Sequence, residues 1–289
     1  MSHGAYIRIG IALLIAFTVT STNLPAAAAP SNLAAAYIST DTASTLQPSK
    51  RQTDHKRKKR RSTRKPSPVM SWETLKRQYP NVFLTNGSRS LNRVALTFDD
   101  APDPRFTPAI LDVLAQYDVC ATFFVVGERA AKHPELVSRI IREGHVIGNH
   151  SFDHSVFSKL SMYQFQQQIW KTDGIIQQIT GVSPTLIRPP YGELLSKQVS
   201  WGKQNGFTIV NWDVDSEDWK RNPDSARVMA NIKRTLQPGS IILQHAGGGV
   251  GQDLSGTIQA LPSLIELLEG KGYELVTLSE LINKHPYRN

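Results

Sequence analysis

Arg93-Val94-Ala95-Leu96-Thr97-Phe98-Asp99-Asp100-Ala101-Pro102-Asp103-Pro104 decides the fold of this chain. Arg93–Phe98 has the short, apolar, β-favouring composition of a buried strand, and two adjacent carboxylates and a Pro-x-Pro segment close it. Working outward, six further strands are expected at Ala121–Val126, His145–Gly148, Thr185–Arg188, Thr208–Asp213, Ser240–Gln244 and Tyr273–Val276. Amphipathic helices separate them. Thr107-Pro108 reads as a cap followed by proline at the first helical position, opening a helix to about Tyr117. Ser161-Met162-Tyr163-Gln164 and Thr277-Leu278-Ser279-Glu280 are capping boxes, and Phe165, Ile169, Ile176 and Ile179 recur at helical spacing before Gly181 ends the second helix. Strands alternating with helices predict an α/β fold, a distorted (β/α) barrel with about seven parallel strands.

Polar residues collect where these strands end. Asp99 and Asp100 follow the first strand, and His150 and His154 follow Val146-Ile147-Gly148. Arg188 ends Thr185-Leu186-Ile187, Asp213, Asp215, Asp218 and Trp219 follow Ile209-Val210-Asn211-Trp212, and His245 follows Ile241-Ile242-Leu243-Gln244. A parallel barrel gathers its strand ends on one face, so five clusters point to one shared site. His150 and His154 are four residues apart, which lets two imidazoles reach one ion from a compact loop or helical turn, with Asp100 as a hard third ligand. Two histidines and a carboxylate leave a coordination position open, the pattern of a catalytic site, and suit zinc, with cobalt, nickel or iron as substitutes. Successive strand side chains face opposite ways, so Asp99 and Asp100 share a cavity only if the strand ends between them.

Thr97-Phe98-Asp99-Asp100, His150-Ser151-Phe152-Asp153-His154, Arg188-Pro189-Pro190-Tyr191, Asp215-Ser216-Glu217-Asp218-Trp219 and Leu243-Gln244-His245 together resemble the five ordered motifs of the polysaccharide deacetylases. These are the NodB-homology domains of carbohydrate esterase family four, and the likeness spans about Arg93 to Thr277. It implies metal-dependent hydrolysis of an N-acetyl group on an amino sugar, a hydrolase acting on a linear amide. On that resemblance Asp99 is the base, oriented by Arg188, and Asp100, His150 and His154 hold the metal. His245 is the acid, its imidazole pKa raised by Asp218, and the Tyr191 backbone N–H meets the oxyanion. Trp219 and Leu243 line the acetyl pocket, although Leu243 also reads as ordinary core. Asp215 supports its loop. Ala101 stands where the family usually has glycine, and a positive φ there would cost about 1 kcal/mol.

The rest of the chain says where such an enzyme works. Of 33 basic residues, ten lie between Lys50 and Lys65 beside one acid, Asp54, so that stretch accounts for the whole net charge of +9. The remaining acids and bases balance, which withdraws the charge as a sign of nucleic acid. No aromatic residues interleave the basic run either. Arg8, the apolar run Ile9–Val19 and the small residues through Ala29 resemble a signal peptide over residues 1–28, cleaved after Ala28, the alternative being an uncleaved membrane anchor. Residues 29–68 read as a disordered basic linker able to contact anionic wall polymer or a membrane surface. Residues 69–92 are an extension whose Trp72–Tyr79 segment forms a short docking helix, and 93–289 are the catalytic domain. The single cysteine, Cys120, lies inside the apolar strand-like run Val119–Val126 and reads as a small buried hydrophobe. The expectation is a secreted, wall-associated monomer acting on an amino-sugar polysaccharide. Peptidoglycan N-acetylglucosamine comes first, chitooligosaccharide or exopolysaccharide next. A non-catalytic glycan-binding protein and an amidase for another amide are the rival readings.

Overall fold

The computed structural model describes residues 69–288, so the signal-like segment and the basic linker lie outside the described residues. Its strands are β1 (Phe83–Leu84), β2 (Arg93–Ala101), β3 (Thr122–Val125), β4 (Val146–Asn149), β5 (Ser183–Pro184), β6 (Leu186–Ile187), β7 (Thr208–Val210), β8 (Val214–Asp215), β9 (Ile241–His245), β10 (Glu274–Leu275) and β11 (Tyr287–Arg288). Nine form one curled sheet in the order β1-β7-β6-β4-β3-β2-β9-β8, with β10 beside the start of β2, and every pairing in it is parallel. β5 and β11 make a separate antiparallel pair. All seven expected strands are present, and β1, β5, β8 and β11 are additional. The expected strand Thr208–Asp213 is shorter, because the chain leaves the sheet after Val210 and rejoins it beside β9 as β8.

Strand period two sorts the core into two layers. Val94, Leu96 and Phe98 of β2 face outward with Phe123, Val125, Ile147, Val214 and Ile242, where they pack on Ile110, Leu111, Leu114, Val137, Ile140, Leu264 and Leu268 of the covering helices. Ala95, Phe124, Val146, Leu186, Val210 and Ile241 face inward and pack with Val276, Leu278 and Leu281. Those last residues close the end where the strands begin, since Val276 N–H bonds Val94 and Leu278 N–H bonds the Thr122 hydroxyl. The inward-facing positions at the opposite end are therefore free to be polar.

Both capping boxes form, and Gly181 takes the left-handed conformation (φ 78°) that ends helix Met162–Thr180. Helix Thr107–Gln116 begins one residue earlier than expected. Its N-cap is Phe106, and the Thr107 hydroxyl instead donates to Ala246 O (2.8 Å) and accepts from Asp103 N–H (2.8 Å). Cys120 is exposed rather than buried, because β3 starts only at Thr122 and leaves the thiol in the preceding turn. Trp72–Gln78 is a helix with Ser71 as N-cap, and β1 follows it as an edge strand on β7. No helix among the described residues is long and apolar enough to cross a membrane.

Candidate active site

At the C-terminal end of β2 the inward phase passes from Thr97 to Asp99, which lies opposite His245 on β9. Asp99 is 4 % exposed and Arg188 is 0 % exposed, so their contact is an interior ion pair and not a surface one. Arg188 Nη1 donates to Asp99 Oδ1 (2.8 Å) and to Thr97 Oγ1 (2.9 Å), while its Nε donates to Val210 O (3.2 Å) and its guanidinium lies 4.1 Å from the Phe124 ring centroid. The pairing uses one nitrogen, because the rest of the guanidinium is spent on the barrel wall. A side chain tied at three points has one orientation, and so has the carboxylate it holds. Burial pushes the Asp99 carboxyl above the usual aspartate range, against the opposing pull of Arg188 and His245.

Asp100 reaches the same cavity by a route that the sequence did not show. β2 continues through Ala101, but its register with β3 shifts between Phe98 and Ala101, and Asp100 sits there at φ +64°. This bulge turns a side chain that should face outward back towards the mouth. Ala101 is not in the left-handed region; the positive φ falls on Asp100, an aspartate tolerating it for about 1 kcal/mol. Ala101 packs fully buried in the outer core, so its methyl group carries no penalty. Arg129 fixes the bulge from behind by donating to Asp100 O (3.1 Å) while pairing with Asp103 (3.2 Å).

The two histidines come from a compact loop rather than a helical turn, with Ser151 (φ 72°) and His154 (φ 62°) both left-handed. Local hydrogen bonds hold it: Ser151 N–H to Asn149 Oδ1, His154 N–H to Ser151 Oγ, and Phe152 N–H to Gln168 Oε1. His150 Nδ1 donates to Arg188 O (2.7 Å), leaving Nε2 with a free lone pair 3.7 Å from Asp100 Oδ1 and 3.7 Å from Asp99 Oδ2. His154 Nε2 is 3.3 Å from the same Asp100 oxygen. One ligand atom from each of Asp100, His150 and His154 lies within 4.8 Å of the others. Asp100 Oδ1 is buried with no hydrogen-bond donor among the described residues, a costly arrangement unless a cation meets it. Burial, then the neighbouring His154, drives the His150 pKa down to about 3, so it is the neutral imidazole a metal requires. The donor set fits a divalent ion.

Across the cavity, His245 Nδ1 contacts Asp218 Oδ1 at 2.7 Å, and Asp218 Oδ2 accepts from His245 N–H (2.8 Å) and from Thr257 Oγ1 (2.8 Å). Burial alone would lower the His245 pKa. The Asp218 carboxylate outweighs it, helped by Asp100 and Asp99, and raises it to about 9. Asp218 is in turn held below the usual range: burial works against this, but the charge and hydrogen bonds of His245 prevail. Tyr191 (φ 58°) is on the loop after Arg188, 63 % exposed, with its ring centroid 4.8 Å from that of His154. Trp219, next to Asp218, is half exposed, and Leu243 is buried on β9 between Thr97 and Asp215. Asp215 Oδ1 accepts from Glu217 N–H (2.7 Å), and Asp213 accepts from Ile241 N–H and pairs with Arg89.

The chain that places a buried Asp99–Arg188 pair, the Asp100, His150 and His154 cluster and the His245–Asp218 pair at one end of the sheet has relatives. The family model of polysaccharide deacetylases matches residues 86–210. A peptidoglycan-N-acetylglucosamine deacetylase of Bacillus cereus is 42 % identical over 211 residues, covering 73 % of this chain and 76 % of its own. The chain belongs to the polysaccharide deacetylase family. A chitooligosaccharide deacetylase of Bradyrhizobium is 34 % identical over 216 residues, covering 72 % of this chain and 95 % of the relative. The crystal structure of a peptidoglycan N-acetylglucosamine deacetylase bound to 4-naphthalen-1-yl-N-oxidanyl-benzamide superposes with a TM-score of 0.69 at 42 % identity, over 71 % of this chain and 95 % of that one. As a polysaccharide deacetylase the chain is a hydrolase. Thr97, Phe124 and Thr257 are the supports that motif reading missed. Thr97 was recoverable from the inward phase of β2, but no local signal marks Thr257, which reaches Asp218 from the helix Ser255–Gly270.

Proposed function

We propose that this polysaccharide deacetylase is an exported, metal-dependent enzyme that removes N-acetyl groups from N-acetylglucosamine in peptidoglycan. The observation that carries the reading is Asp99, a buried carboxylate anchored by Arg188 beside the Asp100, His150 and His154 donor atoms. Those three residues would hold the ion, zinc by the chemistry of the set, which when bound polarises the amide carbonyl and acidifies water. Asp99 takes the proton of the attacking water through Oδ2, the oxygen that Arg188 leaves free. Arg188 supplies the opposing charge that a buried carboxylate needs to ionise. His245 gives a proton to the departing amine; with Nδ1 engaged by Asp218, Nε2 is the nitrogen that delivers it. The Tyr191 N–H meets the charge developing on the carbonyl oxygen. Trp219 and Leu243 offer the apolar surface suited to a sugar face and an acetyl methyl.

The working form of His245 is the protonated one. Its pKa of about 9 keeps it protonated through neutral pH, so kcat/KM should fall as pH rises through that value. Asp218→Asn removes the charge that opposes burial and should bring the alkaline limb down by about one pH unit or more. An unmoved limb would assign the acid elsewhere.

Export and the wall substrate rest on the signal-like residues 1–28 and the basic run Lys50–Lys65, which suits an anionic wall, together with the 42 % identical relative. Acetate release from purified peptidoglycan and from chitooligomers, each with zinc, tests the substrate. Faster release from peptidoglycan is expected. A preference for chitooligomers would favour the small-oligomer reading that the Bradyrhizobium relative supports. Release from neither would leave a glycan-binding protein or an amidase for another amide.

A further inference from the structure

The geometry points to Trp72, on the helix that precedes the barrel, as a positioning residue for the backbone N–H of Tyr191; the inference rests on the catalytic reading above. Tyr191 is held in the left-handed region at φ 58° and ψ 12°, a conformation that a non-glycine residue keeps only when its surroundings impose it. Its own side chain does not impose it, being 63 % exposed with only its ring edge against His154. The constraint comes from the next residue. The Gly192 carbonyl accepts two side-chain hydrogen bonds, from Trp72 Nε1 (3.0 Å) and from Asn211 Nδ2 (3.1 Å). The turn is also closed internally, by Gly192 N–H to Pro189 O (3.0 Å) and Glu193 N–H to Pro190 O (3.2 Å).

Gly192 is wedged between two indoles. It sits at φ +67°, and a Cβ there would come within 2.4 Å of the Trp72 ring and 3.2 Å of the Trp212 ring. Trp72 and Trp212 meet edge to face at 5.0 Å, and the Trp212 ring centroid lies 5.8 Å from the Arg188 guanidinium. Trp72 is itself fixed. Its helix buries Leu75, and Tyr79 at the helix end bonds Ser196 through its hydroxyl (2.8 Å to Oγ). A residue 120 positions away in sequence thus clamps the turn that aims the oxyanion donor, through a hydrogen bond and a ring contact that both lie on the Gly192 side of that turn. Residues 69–92 thereby contribute to turnover as well as to the sheet.

The test compares zinc-loaded wild-type protein with Trp72→Phe, which keeps an aromatic ring in the clamp and removes the N–H donor. Losing an oxyanion donor outright costs a hundredfold or more, so a donor left in place but loosely aimed should cost about tenfold in kcat. KM and zinc affinity should stay within about twofold, since neither depends on a group that acts only as charge develops on the carbonyl oxygen. Hydrogen exchange at the Gly192 and Glu193 amides should accelerate while that of β2, β3 and β4 stays unchanged. Unaccelerated exchange at those two amides overturns the inference whatever kcat does. So does a loss of kcat that arrives with weaker zinc binding and faster exchange throughout the barrel, the mark of a merely structural tryptophan. If the wild-type protein releases no acetate, the catalytic reading fails and exchange alone judges the clamp.

Discussion

Asp99→Asn is expected to lower kcat by about a hundredfold to ten-thousandfold while leaving the protein able to bind one zinc. The asparagine keeps the shape and an acceptor for Arg188 Nη1 but cannot take a proton from water. The donor atoms of Asp100, His150 and His154 are untouched. A second effect accompanies the first. Arg188 is wholly buried and Asp99 is its carboxylate partner, so removing the charge leaves a guanidinium uncompensated in the interior. Breaking such a pair typically costs about 3–5 kcal/mol. The retained acceptor, Thr97 and Val210 should keep the variant towards the lower end, visible as a melting midpoint several degrees lower. Activity measured well below that midpoint separates chemistry from unfolding. Near-wild-type turnover under those conditions would remove Asp99 as base.

His150→Ala should abolish acetate release and weaken zinc binding by orders of magnitude. Wild-type protein stripped of metal should regain thermal stability on adding zinc, because a ligand at a hundred times its Kd stabilises the folded state by about 2.7 kcal/mol. The variant should gain almost none of this. Equal zinc stabilisation in both proteins would place the ion elsewhere. The substitution also leaves Arg188 O without its imidazole donor, so stability without zinc serves as the baseline for each protein.

Why so much of the site was legible follows from how a parallel barrel is built. Strand ends converge whatever lies between them, so Asp99, His150, Arg188, Asp218 and His245 could be grouped before any distance was known. The seven main strands were marked by apolar runs, and the helix limits at Ser161, Gly181 and Thr277 by short-range capping chemistry. Backbone irregularity was not marked. Asp100 faces the cavity through a bulge at φ +64°, where a strand ending between the two aspartates was expected, and the strain assigned to Ala101 belongs to Asp100. The apolar run Val119–Val126 reads as strand-like through Cys120, but the strand starts only at Thr122, so a thiol expected in the core is exposed. The links from Thr257 to Asp218 and from Trp72 to Gly192 were not legible, because each crosses a long sequence separation through a hydrogen bond that no local pattern records.

The measurement that bears most directly on the account is the rate of acetate release from an N-acetylglucosamine oligomer or peptidoglycan as metal-free protein is titrated with zinc. The rate should be negligible at the start, rise in proportion to added ion and break at one equivalent per chain, with His150→Ala flat throughout. Full activity in the metal-free protein would contradict the assignment of Asp100, His150 and His154, and with it the chemistry built on Asp99.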